Sequence, residues 1–210
     1  MIQFRTAGEL LPIVRPGVLW LEGATIVARD PRLDAVFTAG FTIRDEDAGA
    51  VRAMYKRVGI DPTKTRPSSE ALLRRIRKGD SLPRINAMVD VCNWCSLEFQ
   101  LPYGLYDLAH VEGGVVEMRL GREGESYAGI RKDEVHVAGR ITLVDARGPF
   151  GNPTSDSART MVTTATTRVL VVVFAPRGVE DRGLAEALDV TAARMGEYTG
   201  AMEIGRLVPA

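Results

Sequence analysis

The chain holds two cysteines and two histidines in 210 residues, and that scarcity excludes several chemistries. Two cysteines do not make a disulfide framework. Cys92 and Cys95 form a C-x-x-C, but a zinc site wants a second such pair, and neither His110 nor His136 is spaced as a ligand partner. A redox dithiol wants a helix N-terminus in a thioredoxin-like setting. This pair falls inside a helical pattern, on its apolar face, and reads as two small core residues. No metal and no cofactor is expected. Ser157 has no visible histidine partner, which disfavours a Ser–His nucleophile.

Long apolar runs are also lacking. The longest, 169–175, is far short of the roughly 20 residues of a membrane span. Residues 1–8 carry no apolar core of a signal peptide, so a cytoplasmic location without a membrane partner is the expectation. Net charge is absent: 27 Lys plus Arg cancel 27 Asp plus Glu. Nothing in the total calls for a polyanion, and DNA is not expected. There is no internal repeat and no low-complexity segment. The size and the 45% hydrophobic content fit one main domain with a small N-terminal extension.

What is present centres on residues 84–107, RINAMVDVCNWCSLEFQLPYGLYD. Its first sixteen residues predict a helix. Ile85, Met88, Val89, Cys92, Cys95, Ser96 and Phe99 fall on one apolar face. Asn86, Asp90 and Asn93 fall together on another. Two amides and a short carboxylate are poor helix formers in a helix interior. They point either to a ligand or to local hydrogen bonding with neighbouring loops. Pro102 then stops the helix.

The rest of the chain alternates strands and helices. Strands are expected at 18–21 and 24–28 around a Glu22-Gly23 turn, with a loop at Asp30-Pro31. Asp45 is expected to cap a helix over 46–58, and Ser68 or Ser69 a second one that ends before Gly79. After Asp107 the pattern turns to β: 114–120, 127–130, then 134–138 and 140–144 about a Gly139 turn. Residues 150–167 read as a polar loop, 168–174 as a strand buried on both faces, and 180–198 as an amphipathic helix. Leu184, Leu188, Thr191, Ala192 and Met195 make the inner face of that helix. Within the polar loop, Arg159 is placed either to grip a carboxylate or phosphate or to pin the loop by pairing with Asp156. Between Arg52 and Arg84 ten basic residues face Asp61, Glu70 and Asp80. Such a run is either a phosphate-binding face or a solvated helix surface.

The pattern formed by Asn86, Val89, Asp90, Asn93, Leu97, Pro102, Tyr106 and Asp107 resembles the editing module of the beta subunit of bacterial phenylalanyl-tRNA synthetase. It resembles more closely a family of free-standing proteins built on that module, the B-three/B-four domain proteins. The segment TKTRPSSEALLRRI, the group Gly124, Glu125, Gly129 and Ile130, the trio Leu143, Val144 and Asp145, and the stretch Asp156-Ser157-Ala158-Arg159-Thr160 follow the same family in the same order. The resemblance covers about residues 63–175.

The resemblance implies an α+β fold, a mixed β-sandwich-like core of the synthetase editing-domain type with packed helices. Periodicity alone yields only α+β with a single core. Residues 1–62 would be an extension packed on the core, 63–178 the editing-like domain, and 179–210 a C-terminal helix and tail. In the synthetase, the module hydrolyses tyrosine wrongly attached to the phenylalanine tRNA. Its pocket lies between the helix-turn stretch and the β segments. By that likeness the pocket here would involve Asn86, Asn93, Pro102, Tyr103, Gly104, Arg159 and Thr160, with Asp90 or Asp156 as candidate catalytic carboxylates. Lys64, Arg66, Arg74, Arg75, Arg77 and Lys78 are the candidates for tRNA phosphate contacts.

This sequence departs from the editing pattern at three places. Cys92 replaces a threonine and Gly104 replaces the pocket histidine. Only valines stand at 171–173, where the pocket glutamate belongs. Other free-standing members share the departure, which implies a change of task. Three functions follow: a trans-acting editing or tRNA-binding factor, a protein that binds a small amino-acid-like ligand, or a non-catalytic interaction module.

Overall fold

The computed structural model describes residues 2–44, 48–131 and 133–208. Two four-stranded sheets carry an α+β fold. The first has β1 (Gln3–Thr6), β4 (Val115–Leu120), β7 (Ile141–Asp145) and β8 (Gly148–Gly151) side by side in that order, with β1 parallel to β4 and the other pairs antiparallel. The second is antiparallel, in the order β10 (Met202–Leu207), β2 (Val14–Glu22), β9 (Arg168–Pro176) and β3 (Tyr103–Asp107). A separate ribbon pairs β5 (Ser126–Ala128) with β6 (Glu134–His136). The helices are α1 (Pro31–Ala39), α2 (Ala48–Arg57), α3 (Ser68–Arg77), α4 (Ala87–Phe99) and α5 (Asp181–Thr199). Among the described residues, no helix is long and apolar enough to cross a membrane.

The valine-rich run forms the central strand β9 and is buried from its second residue onward. Both its neighbours pair with it through long registers, Val14 to Glu22 on one side and Tyr103 to Asp107 on the other. Such double coverage explains a strand without polar alternation. On β2, Gly17 leaves room for Leu184 and Leu188 of α5 to press onto the sheet. One apolar cluster runs through both sheets, with the rings of Tyr106 and Phe150 meeting edge to face at 5.0 Å.

Several expectations are corrected. Residues 24–28 form no strand, because their backbone groups go to three partners: Ala24 donates to Thr167 O, Thr25 to Thr199 O, and Val27 O accepts from Ala87. Asp30-Pro31 begins α1, with the Asp30 carboxylate accepting the Arg32 N–H and Pro31 in the first turn. The expected Asp45 cap lies outside the described residues. Neither Ser68 nor Ser69 caps α3, which begins after Pro67 without a side-chain cap. Residues 134–138 and 140–144 do not pair with each other. Gly139 turns the chain out of the small ribbon and into the first sheet, where β7 joins β4.

Candidate functional site

A cleft of three adjoining hollows opens where α3, α4, β3 and the loops after β5 and β8 meet. The outer hollow, about 490 Å³, is bordered by Lys64, Arg66, His136 and Arg140. It shares Ser68, Thr154 and Ser155 with a middle hollow of about 200 Å³. The middle hollow shares Ser68, Tyr103, Ile130 and Asp156 with an inner one of about 280 Å³. Ser68 therefore borders all three, and its buried hydroxyl has no partner among the described residues.

The inner hollow follows from two periodicities. Ile85, Val89, Cys92 and Asn93 reach it from α4 and the residues before it, at helical spacing, while Tyr103 and Leu105 reach it from β3 at a spacing of two. Met161 and Val162 close the far side. Ile85, Met161 and Arg131 are exposed and stand at the mouth, whereas Cys92, Tyr103, Leu105 and Val162 are buried and form the floor. Arg131 holds a left-handed backbone, φ 54°, which is uncommon for a residue with a side chain.

Asp156 is fixed at the junction. Its side chain accepts the Tyr106 phenol at 2.7 Å. The loop around it is braced by Asn152, whose side-chain oxygen accepts the Thr154 and Ser155 N–H groups at 2.8 and 2.9 Å. The Asn152 amide donates to the Tyr127 hydroxyl, which donates in turn to Ser155 O. Tyr106 reaches Asp156 through a slot between Gly104 and Gly151, and a Cβ on either glycine would collide with its phenol. Gly104 is thus one of the two glycines that admit Tyr106. Burial, with the Asp156 charge next, raises the Tyr106 pKa well above its ordinary value, so the phenol keeps its proton. Burial also raises Cys92 well above the usual thiol range, with Cys95 and Asp156 adding to it. A neutral buried thiol is a poor nucleophile.

The sequence candidates separate into lining and bracing residues. Asn93, Tyr103 and Asp156 line the inner hollow together. Asn86 caps α4 by accepting the Val89 N–H and ties Val162 O with its amide. Asp90 is fully buried, accepting the Ile85 N–H at 2.8 Å and the Arg84 guanidinium at 2.6 Å. The three polar residues expected on one helix face thus have three separate jobs. Helix α4 is covered by α1, α3, α5 and β3, so burial does not follow its sequence stripe. Pro102 is buried and its carbonyl accepts the Phe174 N–H. Thr160 is fully buried, and its hydroxyl has no partner among the described residues.

Arg159 does not pair with Asp156. It grips Asp145 with two bonds, 2.8 and 3.0 Å. In the same way Glu125 takes two bonds from Arg119 and Asp107 accepts from Thr166. These three acids of the family pattern are braces. The Arg119 guanidinium depresses the Glu125 carboxyl to about 2. Val171, Val172 and Val173 are buried within β9.

The basic run is divided as well. Arg84 is bonded to Asp90 and Asp34 and lies over the Phe37 ring. Arg52 and Arg66 pair with Glu70, and Arg75 donates to Ser81 O. Lys64, Arg74, Arg77 and Lys78 are exposed, and among the described residues they form no ion pair. Ser155, Arg131, His136 and Arg140 also border the cleft, and residue type and spacing do not single them out. Ile130 carries a signal, as part of the glycine-isoleucine motif, and Arg131 follows it directly.

Two sheets with a cleft bordered by Lys64, Arg66, Arg140 and Glu134 at one end and mostly by apolar side chains at the other make up an α+β module. The chain belongs to the B3/4 domain family, whose pattern matches residues 50–200. It is 29% identical over 161 residues to the phenylalanine–tRNA ligase beta subunit of Novosphingobium aromaticivorans, covering 72% of this chain and 19% of that protein. It is 33% identical over 128 residues to the beta subunit of Brucella abortus, covering 55% and 15%. The chain therefore spans less than a fifth of these curated relatives. An N-terminal fragment of the phenylalanyl-tRNA synthetase beta subunit from Pyrococcus horikoshii shares the fold, with a TM-score of 0.56 and 15% identity over 96% of this chain and 50% of that one. The chain is a synthetase-related module.

Proposed function

We propose that this module receives the charged acceptor end of a tRNA and hydrolyses its aminoacyl ester in trans. The polarity gradient along the cleft carries the reading. Lys64, Arg66 and Arg140, with Glu134 among them, border the outer hollow, hydroxyls and Asp156 the middle, and mainly apolar side chains, with Ser68, Asn93, Arg131 and Asp156, the inner end. That order matches phosphate, ester and side chain at a charged 3′ end. Arg74, Arg77 and Lys78 extend the cationic surface beyond the cleft along α3, and their attraction for phosphates is local because the net charge is zero.

In the reaction, water adds to the ester carbonyl, and the tetrahedral intermediate expels the ribose oxygen, which takes up the proton the water gives up. Of the two candidate carboxylates, Asp156 borders the cleft whereas Asp90 is engaged by Arg84. The proton passes through Asp156 or through the neighbouring ribose hydroxyl.

The test is deacylation of a panel of mischarged tRNAs by the whole chain, beside Asp156→Asn and Asn93→Ala. Selective hydrolysis that the variants lose is the expected result. Tight, salt-sensitive retention without hydrolysis would reduce the reading to a binding module, and the absence of both would overturn it. A second reading, capture of a free amino acid, draws on the small size of the inner hollow. A thermal-shift panel of amino acids tests it.

A further inference from the structure

Arg140 departs from a pattern that the other arginines keep. Every other buried or half-buried arginine holds a carboxylate, as Arg84 holds Asp90 and Arg119 holds Glu125. Arg140 is half-buried as well, and among the described residues it holds none. A guanidinium that has given up water without gaining an anion is a standing cost, and its planar fork of donors suits two phosphate oxygens at once.

Arg140 borders the outer hollow. Its charge is felt along the wall that this hollow shares with the middle one. Burial raises the Tyr55 and Tyr127 pKa values, and the Arg140 charge pulls both back in part. Those two phenols meet the Thr154 hydroxyl and Ser155 O, and both hollows are lined by Thr154 and Ser155. Lys64 stands at the same rim, exposed and without an ion pair among the described residues. Arg66 is taken up by Glu70. Glu134 is the carboxylate of the lining, accepting from the Ser126 hydroxyl and lying 3.9 Å from His136. Arg140 and Lys64 therefore outweigh it. Where the outer hollow joins the middle one, the Ser68 hydroxyl also has no partner among the described residues.

We propose that the outer hollow is a subsite for one phosphate group, with Arg140 as its main specificity residue and Lys64 beside it. The inference rests on the proposed aminoacyl-tRNA function and names the phosphate: it is the diester that joins the last two nucleotides, the one nearest the ester. Arg140 grips two of its oxygens, Lys64 adds charge at the rim, and Glu134 sets a limit on affinity by repulsion.

The test titrates the whole chain at low salt and follows it by NMR. The probes are cytidylyl-adenosine, its methylphosphonate, in which the linking phosphate is neutral, AMP and inorganic phosphate. Cytidylyl-adenosine should bind about tenfold tighter than its methylphosphonate. Its log K should fall against log salt with a slope of about 0.7, and the methylphosphonate should show no slope. Arg140→Gln should shrink the tenfold difference to about threefold or less, and Arg140→Lys, which keeps the charge and loses the fork, should retain more of it. Glu134→Gln should act in the opposite direction, tightening cytidylyl-adenosine by about threefold, which a merely bracing role for these side chains would not produce. Equal binding of cytidylyl-adenosine and its methylphosphonate overturns the subsite, whatever the deacylation assay gives. That comparison uses the wild-type chain, so a variant that fails to fold does not rescue the proposal. Binding of AMP and inorganic phosphate without cytidylyl-adenosine keeps the subsite and removes the tRNA reading. If no probe binds, the subsite falls.

Discussion

Arg159 holds Asp145 with two hydrogen bonds, 2.8 and 3.0 Å, and donates a third to His110 O at 2.7 Å. Asp145 also accepts the Glu112 and Arg147 N–H groups. One buried carboxylate thereby joins β7, the segment before β4 and the loop that carries Asp156. Arg159→Ala leaves that charge without its cation and should cost about 3 kcal/mol. Urea denaturation checks this. A loss below about 1 kcal/mol would mean that the pair is not what holds the loop.

Gly104 is set by Tyr106. Placing a histidine there by Gly104→His should destabilise the chain by about 1–3 kcal/mol, because the slot is already filled. Combining it with Tyr106→Ala should cost less than the sum of the two single changes, since removing the ring opens the space. Strict additivity in a thermal double-mutant cycle would contradict the shared slot.

The Glu125 carboxyl is lowered from 4.5 to about 2, mainly by Arg119. A folded-state pKa below the unfolded one gives stability that is full above about pH 4.5 and lost as pH falls towards 2. The shift corresponds to at most about 3 kcal/mol. Glu125→Gln should lower stability at neutral pH and flatten the acid limb between those values, as measured by denaturation at stepped pH. An unchanged acid limb would place the acid sensitivity elsewhere.

The exposed cations of α3 bear on RNA. Alanine at Arg74, Arg77 and Lys78 should reduce the slope of log K against log salt by about 0.7–0.9 for each phosphate that is no longer neutralised. Folding stability should change by no more than about 0.5 kcal/mol, because these side chains are on the surface. Filter retention of tRNA across a salt series reads the slope. An unaltered slope would make this face a solvated helix surface only.

Local signals in the sequence are strong where the structure is locally determined. The valine run forms β9, the stripe at 180–198 forms α5, and Pro102 marks the end of α4. They fail where a backbone group finds its partner far along the chain. Residues 24–28 have strand chemistry, yet their hydrogen bonds go to Ala87, Thr167 and Thr199. Strand β10 and helix α1 both escape the sequence pattern. The first is an edge strand with a Gly at 205, and the second is hidden because Asp-Pro, which reads as a loop signal, is here a helix start.

The candidate site divides along the same line. Residue order alone determined the family pattern, the helix-turn stretch and the polar loop, because motif spacing and periodicity are properties of neighbours. Only the tertiary structure decided which acids of that pattern brace the fold and which one borders the cleft. Asp107, Glu125 and Asp145 accept from Thr166, Arg119 and Arg159 away from the inner hollow, while Asp156 accepts from Tyr106 and borders the cleft. A carboxylate's role depends on what lies within hydrogen-bond distance and on how much water reaches it, and residue type carries neither.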